Sequence, residues 1–325
     1  MPAMSASPGR VARPVLESLE GRALMTANRP LVHAAALAPR ATVGPMEHAG
    51  RPRVYSNLVY LNQRGRQEHL DLYVPSGPTP PGGRPVILAL PGGGWRWVRR
   101  ADLGVTVSSL TKYGYVVAVA DYAFSSGAPG SKVWPTNFQD VRQAVQWLRS
   151  NSTRYGIDPN RVAVWGESAG GHLAGLLGTY PQGPGGNAAA AASTRVQAVV
   201  DFYGPTDLTK QYADSTRARQ YLLTFLGGRP DQVPDRYTDA SPVTHVSPGD
   251  PPFLIFQGTI DQAVPPSQSA ELADKLKAAG VPHKIQYFPL IGHGFRLKIG
   301  PTIDLLPTVL SFLDSALNRG GKGIV

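Results

Sequence analysis

No cysteine occurs anywhere in the 325 residues, which removes disulfides, thiolate metal sites and a thiol nucleophile together. Charged residues are sparse at 17%, against 42% hydrophobic, a balance that suits a globular protein and excludes extended disorder over most of the length. No run approaches the roughly 18 uninterrupted apolar residues that a membrane-spanning helix needs, so no integral membrane association is expected. Basic runs interleaved with stacking aromatics are missing as well. The formal charge of +10 therefore implies a basic surface and no nucleic-acid partner. What is plentiful is turn-forming, Gly 36 and Pro 31, in a chain long enough for one α/β domain of roughly 250 to 270 residues and a tail.

Residues 1–52 are dominated by Ala, Pro and Arg and read as a flexible leader. They lack the apolar core of an ordinary secretory signal. Arg13 to Met25, RPVLESLEGRALM, resembles an LEPxLL-type N-terminal motif of exported bacterial proteins. An exported or cell-envelope location is thus one expectation, and a cytoplasmic location with a leader of no address function is the other.

From residue 53 to residue 320 the signals become regular and read as one catalytic domain. Val54–Leu61 and His69–Val74 read as two strands of an N-terminal antiparallel hairpin turning at Gly65. RPVILALP, YVVAVADY, RVAVWG, VQAVVDFYG and PFLIFQG are apolar runs bounded by turn residues, the pattern of strands buried on both faces of a parallel sheet. Helical periods lie between them. Phe138, Val141, Val145 and Leu148 make one stripe with Asn137 as the expected cap, and Ser267–Ala279 stops at Gly280 and Pro282. Alternating strands and helices specify an α/β class with a mostly parallel, doubly wound sheet. Residues 205–249 break the alternation and read as a small cap-like excursion bordering a pocket.

The segment VAVWGESAGGHLAG carries the chemistry: a buried strand, G-x-S-x-G from Gly166 to Gly170, then a small-residue helix. A serine hydroxyl is a weak nucleophile and must project from a sharp strand-to-helix turn toward a base, so Ser168 is the expected nucleophile. An acid and a histidine should follow in chain order, each just after a strand. Asp261 lies past the strand PFLIFQG, and His293 lies in the glycine-flanked loop after HKIQYF. The competitors are placed less well: His283 opens a strand, His245 sits in the excursion and His172 lies on the helix after the nucleophile. Asp250 precedes its strand, while Asp121, Asp201 and Asp207 read as structural turn carboxylates. After RPVILAL comes PGGGW, where glycines let consecutive backbone N–H groups converge on one oxygen. Gly93, Gly94 and Ala169 are the expected oxyanion donors. Trp95 and Trp97 are candidates to line the pocket, with core packing as the alternative, and Glu167 stands at its edge; Trp95 and Glu167 are the expected substrate-binding residues. No metal ligand set and no cofactor is expected. No G-K-[ST] follows the glycines, which excludes a phosphate loop.

Taken together, PGGGW, GESAGG, the aspartate of GTIDQAVP and the histidine of GHGF resemble the esterase branch of the α/β-hydrolase fold that includes hormone-sensitive-lipase-like, feruloyl and acetyl-xylan esterases. RVAVWGESAGGHLA and DFYGPTDL resemble its small-capped, bifunctional carbohydrate and feruloyl esterase group. The resemblance spans Arg53 to Leu317 and implies an ester substrate, either a small molecule or one linked to carbohydrate, cleaved with a Ser-His-Asp triad and no cofactor. One departure stands out: the family's glycine motif opens with histidine, which helps brace the loop, and this chain has Pro91 there. An amidase or formamidase-like hydrolase using the same triad, and a non-catalytic binding module on the same fold, are the competing functions.

Overall fold

Each parallel apolar run forms a strand of one eight-stranded sheet. The computed structural model describes residues 50–63, 65–97, 100–126, 128 and 133–317. Of the leader expected over residues 1–52, residues 1–49 with the export-like motif lie outside the described residues, as do residues 318–320 of the expected domain. The strands are β1 (Arg53–Gln63), β2 (Arg66–Val74), β3 (Arg84–Leu90), β4 (Val116–Ala120), β5 (Ile157–Glu167), β6 (Ala198–Phe202), β7 (Phe253–Gly258) and β8 (His283–Phe288). Their order across the sheet is β1-β2-β4-β3-β5-β6-β7-β8. β1 pairs β2 and β2 pairs β4 antiparallel; the remaining neighbours are parallel, with Leu88 facing Ala118 on one side and Val164 on the other. This is the α/β-hydrolase fold, with the N-terminal hairpin where the alternation put it.

Why the runs are continuously apolar is visible in β3. Val86, Leu88 and Leu90 point into one core cluster, and Ile87 and Ala89 into a second on the opposite face. Side chains alternate along a strand, so a sheet covered on both faces needs hydrophobes at every position. Burying each Leu or Ile contributes about 1.5–3 kcal/mol.

The helices are α1 (Arg100–Val107), α2 (Thr136–Ser150), α3 (Ser152–Tyr155), α4 (Ala169–Thr179), α5 (Ala188–Thr194), α6 (Leu208–Asp214), α7 (Thr216–Leu226), α8 (Pro234–Asp239), α9 (Pro266–Ala278) and α10 (Leu306–Leu317). Phe138, Leu173 and Leu272 of α2, α4 and α9 belong to the first core cluster, while Leu103 and Leu310 of α1 and α10 belong to the second. Asn137 does not cap α2. The helix begins at Thr136 after Pro135, and the buried Asn137 accepts from the Phe138 N–H within the first turn. The proline already ends the preceding segment, so the start needs no side-chain cap. α9 spans Pro266–Ala278 and stops where Gly280 turns at φ +70°, as its glycine and proline suggested. The 205–249 excursion holds three helices, α6 to α8, because its apolar residues Leu222, Phe225 and Leu226 recur at helical spacing and reach the core.

The chain steps from β3 outward to β4 and returns on the other side of β3 to β5. A ligand crevice forms at the strand carboxyl ends where the order reverses. The glycine loop after β3 and the turn after β5 both open there.

Candidate active site

Ser168 sits between the end of β5 and the start of α4 with φ +54° and ψ −117°, a conformation side chains rarely adopt. Such strain costs of order 1–3 kcal/mol and persists only where the surroundings over-determine it. They do here. The Ser168 N–H donates to the Phe202 carbonyl (2.9 Å), and the Ser168 carbonyl accepts from the His172 N–H (2.9 Å). The flanking glycines are required by close approach. A Cβ on Gly166 would fall 2.1 Å from the Gly170 oxygen, and one on Gly170 would fall 2.0 Å from the Leu90 oxygen. The G-x-S-x-G spacing is therefore what lets the turn close against β3.

His293 reaches the serine from the loop after β8. Its Nε2 lies 2.9 Å from Ser168 Oγ and its Nδ1 lies 2.7 Å from Asp261 Oδ2. The Asp261 side chain is fully buried, and its Oδ1 accepts the N–H groups of Ala263 and Val264, each at 2.9 Å. With one oxygen held by two backbone donors, the other is aimed at the imidazole. The aspartate thus selects the Nδ1–H tautomer and leaves Nε2 to accept the serine proton. Tyr203 packs against the ring at 4.7 Å between centroids. The structure brings the three expected residues, from three different strand ends, into one hydrogen-bonded chain.

The glycine loop borders the same point. A Cβ on Gly92 would lie 3.2 Å from Ser168 Cβ. Gly93 and Gly94 line the cavity at φ +139° and +59°, and a Cβ on Gly93 would strike the Trp97 carbonyl at 2.0 Å. Ala169 opens α4, so its N–H belongs to the first-turn donors that have no intrahelical acceptor. These three positions surround the space in front of Ser168 Oγ.

Trp95 joins both readings made of it. It lines the cavity, yet it is only 3% exposed, stacked on Phe225 at 4.4 Å, with Nε1–H donating to His172 Nδ1 (3.3 Å). Burial pushes the His172 imidazole down to about 4, so it stays neutral, and its Nε2–H donates to the Ala240 carbonyl. Trp97 is the more open tryptophan, at 52% exposure. Glu167 also lines the cavity but is buried, 3.7 Å from Arg296 Nε, and burial pushes its carboxyl up to about 7. Asp121 accepts from the His69 N–H and pairs with Arg100, as a structural carboxylate should. His245 and His283 bond backbone carbonyls of Asp239 and Val281 and take no part in the cavity lining. Among the described residues no group of three or more His, Cys, Asp or Glu is arranged to hold a metal, and no helix is long and apolar enough to cross a membrane.

The cavity has a volume of about 600 Å³, and residues that sequence reasoning did not single out complete it: Leu103, Tyr203, Gln211, Arg217, Tyr221 and Arg296. Arg217 and Tyr221 are one helical turn apart in TRARQYLLTFL and so share a face of α7, but no signal in the sequence puts that face on the cavity.

The BD-FAE family model matches residues 70–276 of the chain. The chain belongs to the BD-FAE family. Esterase LipC of Mycobacterium tuberculosis is 35% identical over 262 residues, covering 76% of this chain and 62% of LipC. A carbohydrate esterase from gut microbiota superposes with a TM-score of 0.65 at 27% identity, over 77% of this chain and 92% of that one. Esterase 2 of the planctomycete Thermogutta terrifontis superposes with a TM-score of 0.66 at 27% identity, over 83% and 95%. The first curated relatives are longer than the matched region, which spans 51% to 62% of their length.

Proposed function

We propose that this BD-FAE chain is a serine carboxylic-ester hydrolase, with Ser168 as nucleophile, His293 as general base and Asp261 orienting the imidazole. The observation that carries the reading is the His293 ring, held at 2.7 Å from one partner and 2.9 Å from the other. Ser168 Oγ attacks the ester carbonyl while Nε2 takes its proton. The C–O bond to the alcohol breaks as the imidazolium returns that proton to the leaving oxygen. Water then attacks the acyl-serine, losing its proton to His293, and the acid departs. Backbone N–H groups of Gly93, Gly94 and Ala169 hold the oxyanion.

Short acyl esters are the first substrate class. Leu103, Val264 and Ala263 give part of the cavity an apolar lining, and the Thermogutta esterase is described with propionate and with butyrate bound. Acetylated-carbohydrate and feruloyl-type esters are the finer alternatives, supported by the exposed faces of Trp97 and Tyr221, which suit a sugar or a phenolic ring. Labelling by a fluorophosphonate probe, lost in Ser168→Ala, tests the nucleophile. Hydrolysis of p-nitrophenyl, feruloyl and acetyl-xylan esters beside matched anilides separates the substrate classes. Faster anilide cleavage would favour an amidase, and absence of labelling would leave only a binding module.

A further inference from the structure

We propose that the cap wall of the cavity is a subsite for a carboxylate carried by the ester substrate, with Arg217 as the residue that selects it. The proposal rests on the ester-hydrolase reading and names the substrate class of that same site. α7 lies over the cavity with Arg217, Ala218 and Tyr221 lining it, while Leu222, Phe225 and Leu226, further along the helix, are buried in the core. Arg217 is exposed and makes no hydrogen bond or ion pair among the described residues.

The other cation of the lining is already engaged. Arg296 donates to the Asp102 carbonyl (3.0 Å) and faces Glu167 across 3.7 Å. Of the lining carboxylates outside the triad, Glu167 faces Arg296, and Asp102 gives its backbone carbonyl to the same guanidinium. Burial holds the Glu167 carboxyl partly protonated near neutrality, its pKa raised to about 7, which weakens its competition for a positive charge. On the cap side a second guanidinium, Arg96, sits 5.7 Å from the centre of the Tyr221 ring.

Gln211, from α6, adds an independent observation at this wall. It is buried, its Nε2–H donates to the Ala263 carbonyl, and its Oε1 has no partner among the described residues. The donated bond fixes which end of the amide is which. A carboxylate is acceptor-only and cannot pair with that oxygen directly, so a water donating to both stands between them while the guanidinium of Arg217 takes the charge. A planar guanidinium on a free stem matches a carboxylate bidentately, and the net charge of +10 draws anions toward the mouth.

The carboxylate can belong to the acyl group or to the alcohol, and two substrate pairs separate these sources. Mono-p-nitrophenyl adipate is compared with p-nitrophenyl hexanoate, and 4-carboxyphenyl butyrate with 4-carbamoylphenyl butyrate. For one pair, the ratio of kcat/KM, anionic over neutral, should fall about tenfold in Arg217→Ala, as expected for losing one charge-assisted bond. It should fall further in Arg217→Glu, remain partly preserved in Arg217→Lys, and decline with ionic strength in the unmodified protein. The change should lie mainly in KM. Ratios unmoved by Arg217→Ala and Arg217→Glu in both pairs would overturn the proposal while leaving the esterase reading intact. Failure of the unmodified protein to hydrolyse any of the four esters would overturn the esterase reading and the subsite with it.

Discussion

The hydroxyl of Tyr122 donates a 2.6 Å hydrogen bond to the carbonyl oxygen of Pro91, joining the segment after β4 to the first residue of the glycine loop. Burial keeps the phenol protonated by pushing its pKa well up, so it remains a donor across the working range. Together with the bond from Trp95 to His172, this brace anchors the loop at both ends. Tyr122→Phe should lower kcat for p-nitrophenyl butyrate roughly tenfold and cost about 1–2 kcal/mol of stability, because the Pro91 carbonyl is left unpaired in the interior. Steady-state kinetics beside urea unfolding would check it. Unchanged kcat would mean the loop is held by the tryptophan end alone.

A second expectation concerns Gly94, which adopts φ +59° and lies so close to α7 that an added Cβ would fall 2.4 Å from the Tyr221 ring. Gly94→Ala must therefore shift the loop or turn the Tyr221 ring aside, and it also places a side chain at a positive φ. With one backbone donor displaced, kcat should drop by about 100-fold to 1,000-fold. A circular dichroism spectrum matching the parent would show that the loss is local. Activity within a factor of two of the parent, with the fold intact, would remove Gly94 from the oxyanion site.

Asp261→Asn offers a sharper test of geometry. The amide oxygen of the variant can still accept from Ala263 and Val264, which turns its NH2 toward His293 Nδ1. That donor favours the opposite tautomer, in which Nε2 carries the proton and cannot take one from Ser168. A fall in kcat of roughly 10,000-fold is expected, with KM little altered. A loss confined to KM would assign Asp261 to substrate binding.

How much of this arrangement was legible in the chain follows from the range of the interactions. The parallel strands and the triad were readable because period, punctuation and chain order are local: Ser168, Asp261 and His293 each follow an apolar run that ends in turn residues. The cap residues Arg217 and Tyr221 were not, because their place in the cavity depends on α7 crossing from the Gln262 carbonyl, which Ser215 holds, to the glycine loop. Asn137 misled for a related reason. Its type suits a cap, but Pro135 two positions before it and the burial of its helix face set the boundary two residues earlier.

The last prediction turns on Asp201, at the end of β6 and fully buried beside the serine turn. Its Oδ1 accepts from the Gly204 N–H at 2.9 Å and lies 2.4 Å from where a Cβ on Gly171 would sit, while Oδ2 has no partner among the described residues. Burial pushes this carboxyl up to about 7, from 3.8 when unconstrained. A group whose folded pKa is raised holds its proton more tightly in the folded state. Its contribution to stability is therefore complete below pH 3.8 and is lost as pH rises through about 7. Asp201→Asn removes that titration and can keep the bond from Gly204. The variant should melt a few degrees above the parent at alkaline pH, and the gap should close as the pH is lowered toward 5, since each kcal/mol moves Tm by about 2–4 °C in a chain of this size. Thermal unfolding followed across that range measures it directly. A Tm difference of constant size at every pH would mean that the carboxylate is already ionised and compensated in the folded protein, and that the turn around Ser168 tolerates a buried charge.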